Sequence, residues 1–332
     1  MNNNIVRFGI IGTNGITDNL LSAAKKVEEF KLTAVYSRKE ETAKDFAKKY
    51  NVNLIFTDLE EMASSNEIDA VYIASPNALH SSQAILFMKN KKHVLCEKAF
   101  ASNVKEVEEM IKVAKENNVV LMEAMKITLL PNFKAILDNV HKIGKVRRYF
   151  ASYCKYSSRY DKYKEGIVLN AFKKELSNGS LMDIGVYTIA PMVALFGKPN
   201  SLKASAYMLE SGVDGEGSII AKYPEMECSV MYSKISDSYL PSEIQGEEGS
   251  IIIDHISRMN DVKIVYRDGR EEIISIEQDE NDMFYEVEEF ISLVNGKKKE
   301  SEINSLEFSK NIMSIMDEAR KQIDLVYEAD LR

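Results

Sequence analysis

An α/β fold is what this sequence predicts, with a parallel sheet in the first part of the chain and a large, mostly antiparallel open sheet in the second. Three observations carry that expectation. Short apolar runs alternate with segments of helical periodicity up to about residue 124. Strand-like runs joined by polar turns then extend from Val146 to about Ile276. Two amphipathic helices close the chain. Strands alternating with helices imply right-handed crossovers and a parallel sheet, whereas consecutive strands with turns imply antiparallel pairing.

In chain order, Val6–Ile11 reads as a buried strand, followed by a helix from about Gly15 to Glu29. Leu32–Tyr36 is the second strand. Ala43, Phe46, Ala47 and Tyr50 mark the buried face of the next helix on a Lys/Glu background. Leu54–Phe56 and Ala70–Ala74 follow as strands, the latter stopped by Ser75-Pro76-Asn77. Val94–Cys96 and Val119–Met122 flank a helix with Val104, Val107, Ile111 and Ala114 on one face. The second part carries runs at Arg147–Tyr156, Ser201–Met208, Ser218–Tyr223, Glu227–Ser233, Ser250–Ile253, Val262–Tyr266 and Glu271–Ile276. Asp268-Gly269 joins the last two as a hairpin. Phe284, Val287, Ile291 and Val294 line one closing helix. Phe308, Ile312, Ile315, Ala319 and Ile323 line the other. The expected division is residues 1–124 for a first domain and 125–332 for a second, joined without a low-complexity linker.

Composition narrows the function. The 332 residues are 45% hydrophobic and 28% charged, with a net charge of -8, so a polyanion such as nucleic acid is not an expected partner. The start, Met1-Asn2-Asn3-Asn4, has no basic flank and no long apolar core, so no signal peptide is read. The apolar stretch Ile184 to Phe196 is too short to span a bilayer, and no membrane partner is expected. Three scattered cysteines, Cys96, Cys154 and Cys228, fit reduced thiols in a cytoplasmic protein. Four histidines without metal-ligand spacing point to no metal site.

Five stretches carry candidate chemistry. Gly9-Ile10-Ile11-Gly12-Thr13-Asn14-Gly15-Ile16-Thr17 lies between the first strand and first helix, where a tight turn into a helix N-terminus can hold a pyrophosphate. It fits a Rossmann dinucleotide site; a tight turn without a ligand has the same spacing. Asn14 and Thr17 stand where glycines are usual, and asparagine tolerates positive φ, which keeps the turn possible. The second strand ends in Tyr36-Ser37-Arg38-Lys39, with no carboxylate before Glu40. An acid there binds a ribose 2′-hydroxyl; a serine and two cations suit a 2′-phosphate, so NADP is expected, with NAD the alternative. As plain solvated charges, Arg38 and Lys39 would mean nothing of the kind. Cys96-Glu97-Lys98-Ala99 sits at the carboxyl end of a strand, where open α/β sheets bind ligands. Asp183 and Tyr187, four apart in an apolar segment, share a helical face, although a helix cap and a core tyrosine would read the same way. His80, after Ser75-Pro76-Asn77, suits a structural or cofactor-loop role better than a catalytic one.

Taken together, these segments resemble the glucose–fructose oxidoreductase / inositol dehydrogenase (Gfo/Idh/MocA) family. The matching stretches are Phe8-Gly9-Ile10-Ile11-Gly12-Thr13, Ala34-Val35-Tyr36-Ser37-Arg38, Tyr72-Ile73-Ala74-Ser75-Pro76-Asn77 with His80, and Glu97-Lys98. Met122-Glu123-Ala124, Asp183-Ile184-Gly185-Val186-Tyr187 and Gln245-Gly246-Glu247-Glu248-Gly249-Ser250 complete them. Met122-Glu123-Ala124 and Tyr187 look most like the dimeric dihydrodiol dehydrogenase and sugar dehydrogenase branch. The resemblance implies hydride transfer between NAD(P) and a carbinol carbon of a sugar, polyol or dihydrodiol-like molecule. It implies a homodimer or homotetramer built on the open sheet. It also implies a cofactor site from Gly12, Thr13, Asn14, Gly15, Ile16, Ser37, Arg38, Ser75, Asn77, His80, Glu97 and Lys98. Lys98, Asp183 and Tyr187 match the family's catalytic positions. Ala99 departs from the family's proline.

In the reducing direction, Tyr187 would protonate the carbonyl oxygen while Lys98 polarises it and Asp183 orients the lysine or a substrate hydroxyl. Lys98 as the donor, with Tyr187 only touching substrate, is the alternative. The aromatic and basic stretch 153–175, with Tyr153, Tyr156, Arg159, Tyr160 and Tyr163, suits either a substrate loop or a solvated surface. A non-catalytic NADP-binding regulator is the rival class, and an enzyme that never releases its nicotinamide is another. A methyltransferase would want an acid where Ser37 stands.

Overall fold

The computed structural model describes residues 5–332; the Met1–Asn4 start, where no signal peptide is read, lies outside the described residues. The chain packs as two compact units. The first comprises the residues through Lys126 together with Asp279–Lys310. Its strands are β1 (Val6–Ile11), β2 (Phe30–Tyr36), β3 (Leu54–Phe56), β4 (Ala70–Ile73), β5 (His93–Glu97) and β6 (Leu121–Ala124). They form one parallel sheet in the order β3-β2-β1-β4-β5-β6. The intervening helices are α1 (Gly15–Ala24), α2 (Glu40–Lys49), α3 (Leu59–Ser64), α4 (His80–Lys89) and α5 (Val104–Asn117). A parallel sheet covered on both faces needs apolar residues at successive positions, and Ile10, Ile11, Val71, Tyr72, Ile73, Val94 and Leu95 are all buried accordingly.

The division expected at residue 124 misses the return of the chain to the first unit. The helix now numbered α9 (Phe284–Gly296), which follows the second unit's last strand in sequence, packs Phe290 against Phe8 with ring centroids 5.7 Å apart, and Phe8 meets Phe30 at 4.6 Å. Fully burying one such ring stabilises by about 1.5–3 kcal/mol, enough to recruit a sequence-distant helix. The first helix ends at Ala24 rather than Glu29, because Lys25 caps it and the chain turns back into β2 at Phe30. The sixth strand starts at Leu121, after Asn118 ends α5 in the left-handed conformation.

The second unit comprises Ile127–Gln278 and Asn311–Arg332. It contains α6 (Pro131–Asn139), β7 (Val146–Cys154), α7 (Tyr160–Lys164), α8 (Val186–Phe196), β8 (Ser201–Met208), β9 (Asp214–Lys222), β10 (Glu227–Ser233), β11 (Ser242–Gly246), β12 (Gly249–Ile253), β13 (Val262–Tyr266) and β14 (Glu271–Ile273). The sheet order is β14-β13-β12-β11-β7-β10-β9-β8. Only β7 and β10 pair in parallel; every other neighbour is antiparallel. Burial alternates along β9 and β10, so one face is core and Tyr207, Ile220 and Met231 stand exposed on or beside the other. The long helix α10 (Leu306–Gln322) begins in the first unit and ends in the second. Ile323 falls beyond it and is half-buried, and Leu325 and Tyr327 fill the core at that end.

One helical stretch among the described residues, Lys174–Phe196, is long and apolar enough to cross a membrane, longer than the run judged too short from sequence. Its most apolar window is 67% buried in its own fold, and the stretch is broken by Ser177 in the left-handed conformation, so it is a core segment.

Candidate functional site

In the first unit the strand order reverses between β1 and β4, and the carboxyl ends of those strands form the switch point where open α/β sheets bind ligands. Gly12 ends β1 with φ +108, and a Cβ there would lie 2.5 Å from the carbonyl oxygen of Ala74. Only glycine allows that approach. Asn14 does not use the positive φ anticipated for it. Its backbone is extended (φ -112), and its side chain caps α1 by accepting from the amides of Ile16 at 3.1 Å and Thr17 at 3.3 Å. Its amide nitrogen donates to Ala74 at 2.9 Å, which bridges the switch point. Thr17, buried, donates its hydroxyl to the carbonyl of Gly12 at 2.7 Å. The two departures from glycine therefore lock the turn. Thr13 is half-buried and Gly15 exposed, and a Cβ on Gly15 would meet nothing within 4 Å. The helix N-terminus thus opens onto free space, and a pyrophosphate fits the donors and the room there.

At the end of β2, Arg38 and Lys39 are exposed and Ser37 half-buried, and Ser37 accepts from the amide of Lys39 at 3.4 Å. Ser75, after β4, donates to Gln83 at 2.7 Å, and Asn77 is buried beside it. His80 is fully buried, with one ring nitrogen 2.9 Å from the carbonyl of Ala99 and the other 2.8 Å from that of Ser75. Burial holds its pKa below the ordinary imidazole value. The ring braces the loop after β4 against the loop after β5, next to Lys98. Lys98 itself is half-buried at the end of β5, and the Lys98–Ala99 peptide bond is cis. Glu97 is buried and accepts from the Tyr72 hydroxyl at 2.6 Å.

The second unit positions the other pair. Leu181–Gly185 forms a π-helical turn that runs into α8, so Asp183 lies in the wide turn and Tyr187 in the first turn of the α-helix. Such turns inside helices are frequent at functional sites. Pro191 has no amide to donate to the Tyr187 carbonyl, which loosens the ladder at that point. Asp214, on β9 and fully buried, accepts from the amide of Leu181 at 2.6 Å and fixes the helix start. Gly179 has to be glycine here, since φ is +146 and a Cβ would lie 2.1 Å from the Asp214 carboxyl.

Two residues not singled out from sequence complete this region. Lys234, buried just past β10, forms an ion pair with Asp183 at 2.5 Å and lies over the Phe172 ring, 5.2 Å from its centroid. His255 meets Tyr153 edge-on at 5.2 Å, and Tyr153 meets Tyr187 edge-on at 5.6 Å. A lysine following an alternating strand run was the available signal for Lys234. Nothing local marks His255. In the tyrosine-rich stretch, Tyr160 and Tyr163 pack on Phe172 beside Leu209 and Val213, so those rings anchor the loop rather than face solvent.

A doubly wound sheet whose switch point carries a glycine turn and an open helix N-terminus, in a chain with a second unit built on an open sheet, defines a dinucleotide-dependent oxidoreductase. Comparison with known proteins agrees. A sequence profile of the Gfo/Idh/MocA oxidoreductase family, with its NAD-binding Rossmann fold, matches residues 6–125, and the profile of that family's C-terminal domain matches residues 134–252. The chain belongs to this family. It is 60% identical to scyllo-inositol 2-dehydrogenase (NADP(+)) of Bacillus subtilis, over 98% of this chain and 99% of that one. It is 31% identical to trans-1,2-dihydrobenzene-1,2-diol dehydrogenase of Danio rerio, over 98% and 99%. Its fold is similar to that of a 3-ketoreductase from Actinomadura kijaniata solved with NADP, with a TM-score of 0.85, 21% identity, and coverage of 96% and 98%.

Proposed function

We propose that this chain transfers hydride between NADP(H) and a secondary carbinol of a cyclic polyol or sugar. The observation that carries the reading is full-length 60% identity to an NADP-linked inositol dehydrogenase. The exposed Ser37-Arg38-Lys39 end of β2, with no carboxylate before Glu40, supports NADP over NAD, because guanidinium grips a 2′-phosphate through two parallel hydrogen bonds. When bound, the nicotinamide supplies or accepts the hydride. The chain's own residues manage the proton. Tyr187 donates it to the substrate oxygen in the reducing direction and removes it in the oxidising one. Lys98 polarises the substrate oxygen. Asp183, held by Lys234, orients a substrate hydroxyl. Gly12, Thr13, Asn14, Gly15, Ile16, Ser75, Asn77, His80 and Glu97 complete the cofactor site. The setting is cytoplasmic, consistent with three free cysteines. The working unit is a homodimer or homotetramer, consistent with exposed Tyr207, Ile220, Met231 and Ile273 on sheet strands.

The test is a fluorescence titration of the full chain with NADPH and NADH, followed by turnover with inositols and sugars. NADPH binding at least about tenfold tighter, a preference of about 1.4 kcal/mol, is expected. Equal binding removes the role of Arg38. A Lys98→Met variant keeping more than about a tenth of kcat would overturn the lysine's role, since acid–base groups contribute roughly 100-fold or more.

A further inference from the structure

Beneath Lys98, the first unit buries more carboxyl groups than the proposed chemistry uses. Glu97 ends β5, Glu123 lies in β6 and Glu286 in the first turn of α9, with exposures of 7%, 1% and 0%. Tyr72, Cys96, Ser309, Lys98, Lys126 and Asp282 surround them. Their partners are unequally shared. Glu97 accepts from the Tyr72 hydroxyl at 2.6 Å and from the Lys98 amide at 3.3 Å. Asp282 pairs with Lys126 at 2.7 Å. One oxygen of Glu123 and both oxygens of Glu286 are buried without a hydrogen-bond partner.

Two cations, Lys98 and Lys126, thus face four carboxyl groups. Asp282 takes Lys126. Burial raises the Glu97 carboxyl, and the nearby charge of Lys98, the Tyr72 hydroxyl and the Lys98 amide act against that. A carboxylate buried with neither cation nor donor takes up a proton instead. Burial drives Glu286 well above the carboxyl range, and the charge of Glu97 drives it further. Burial raises Glu123 to about 7, and the charge of Glu97 adds to that.

We propose that Glu286 and Glu123 are proton-bearing neutral acids near neutral pH, which leaves Glu97 as the one carboxylate committed to Lys98 and makes Glu97 a positioning residue for that lysine. A charge on Glu286 would favour a proton on Glu97 and so remove the lysine's counter-ion. The stored protons keep Glu97 ionised. The part concerning Lys98 rests on the catalytic role proposed above; the part concerning the two stored protons does not.

The experiment is infrared pH titration of the full chain without cofactor, following the carbonyl stretch of neutral carboxylic acids. At about pH 6.5 ordinary glutamates, near 4.3, are ionised. A neutral-acid band is expected to persist there and to lose intensity in Glu286→Gln and, separately, in Glu123→Gln. A missing band, or one that neither substitution reduces, overturns the proposal. Glu97→Gln is then expected to lower kcat about tenfold or more and to move the limb of the pH profile set by Lys98 to lower pH, with partial rescue by Glu97→Asp. A uniform loss of kcat with no movement of that limb overturns the positioning role. Full activity in Lys98→Met would refute the lysine reading and leave the infrared result standing.

Discussion

Asp214→Asn isolates the electrostatics of the helix that carries Asp183 and Tyr187. Asp214 is fully buried, one carboxyl oxygen has no partner, and burial lifts it from an ordinary 3.8 to about 6, against the amide hydrogen bonds from Leu181 and Ser180 that favour its charge. The folded chain therefore holds this proton more tightly than the unfolded chain. The stabilisation is fully present below the unfolded pKa and is lost as pH rises through the folded value. The difference of about two units corresponds to about 3 kcal/mol, disappearing between about pH 4 and pH 6. Asparagine keeps an acceptor for the Leu181 amide and cannot titrate. The difference in stability, variant minus wild type, is expected to grow by about 3 kcal/mol across that window and then stay level. For a unit of this size, that is a relative rise in Tm of roughly 6–10 °C. Circular dichroism melts of both proteins at matched pH values measure it. Two curves that run parallel from about pH 4 to pH 7, or a difference that shrinks as pH rises, would refute a raised Asp214 and with it the argument from burial.

Three further outcomes follow from the geometry. Gly12→Ala sets a Cβ about 2.5 Å from the Ala74 carbonyl at φ +108, and strain of about 1–3 kcal/mol should weaken NADPH binding about tenfold or more in a fluorescence titration while leaving the second unit's melt unchanged. Lys234→Met removes the cation beside Asp183; kcat should fall about tenfold and the acid limb of the pH profile should move up, because an aspartate that loses its cation holds its proton longer. A loss of activity with an unmoved acid limb would assign Lys234 to packing alone. Arg38→Ala should cost NADPH about tenfold in affinity and NADH little, and equal losses for both would show that Arg38 does not read the 2′-phosphate.

Much of the first unit was legible in the residues because its determinants are local. Val6–Ile11 is a strand in the structure with the bounds read from its apolar run, and Gly12 turns where a side chain would strike the neighbouring strand. In the second unit Ser201–Met208, Glu227–Ser233 and Val262–Tyr266 likewise have the bounds their alternation implied. The strand Ser242–Gly246 was not read from the pattern, although it lies inside the sheet between β7 and β12. Five residues with a glutamate and a glutamine carry too little periodicity, and pairing with both neighbours decides its conformation.

The sequence by itself determined the class of fold, the glycine turn, the cationic end of β2, and which residue types stand at Lys98, Asp183 and Tyr187. Those follow from short-range patterns and from spacing along one element. Only the tertiary structure decided that Asn14 bridges to the Ala74 carbonyl, that Lys234 holds Asp183, and that α9 returns to bury Glu286 near Glu97. The physical reason is common to all three. A bridge between strand ends, an ion pair and a buried acid are each defined by a partner, and those partners are separated by 60, 51 and 189 residues in the chain, beyond the reach of any local pattern.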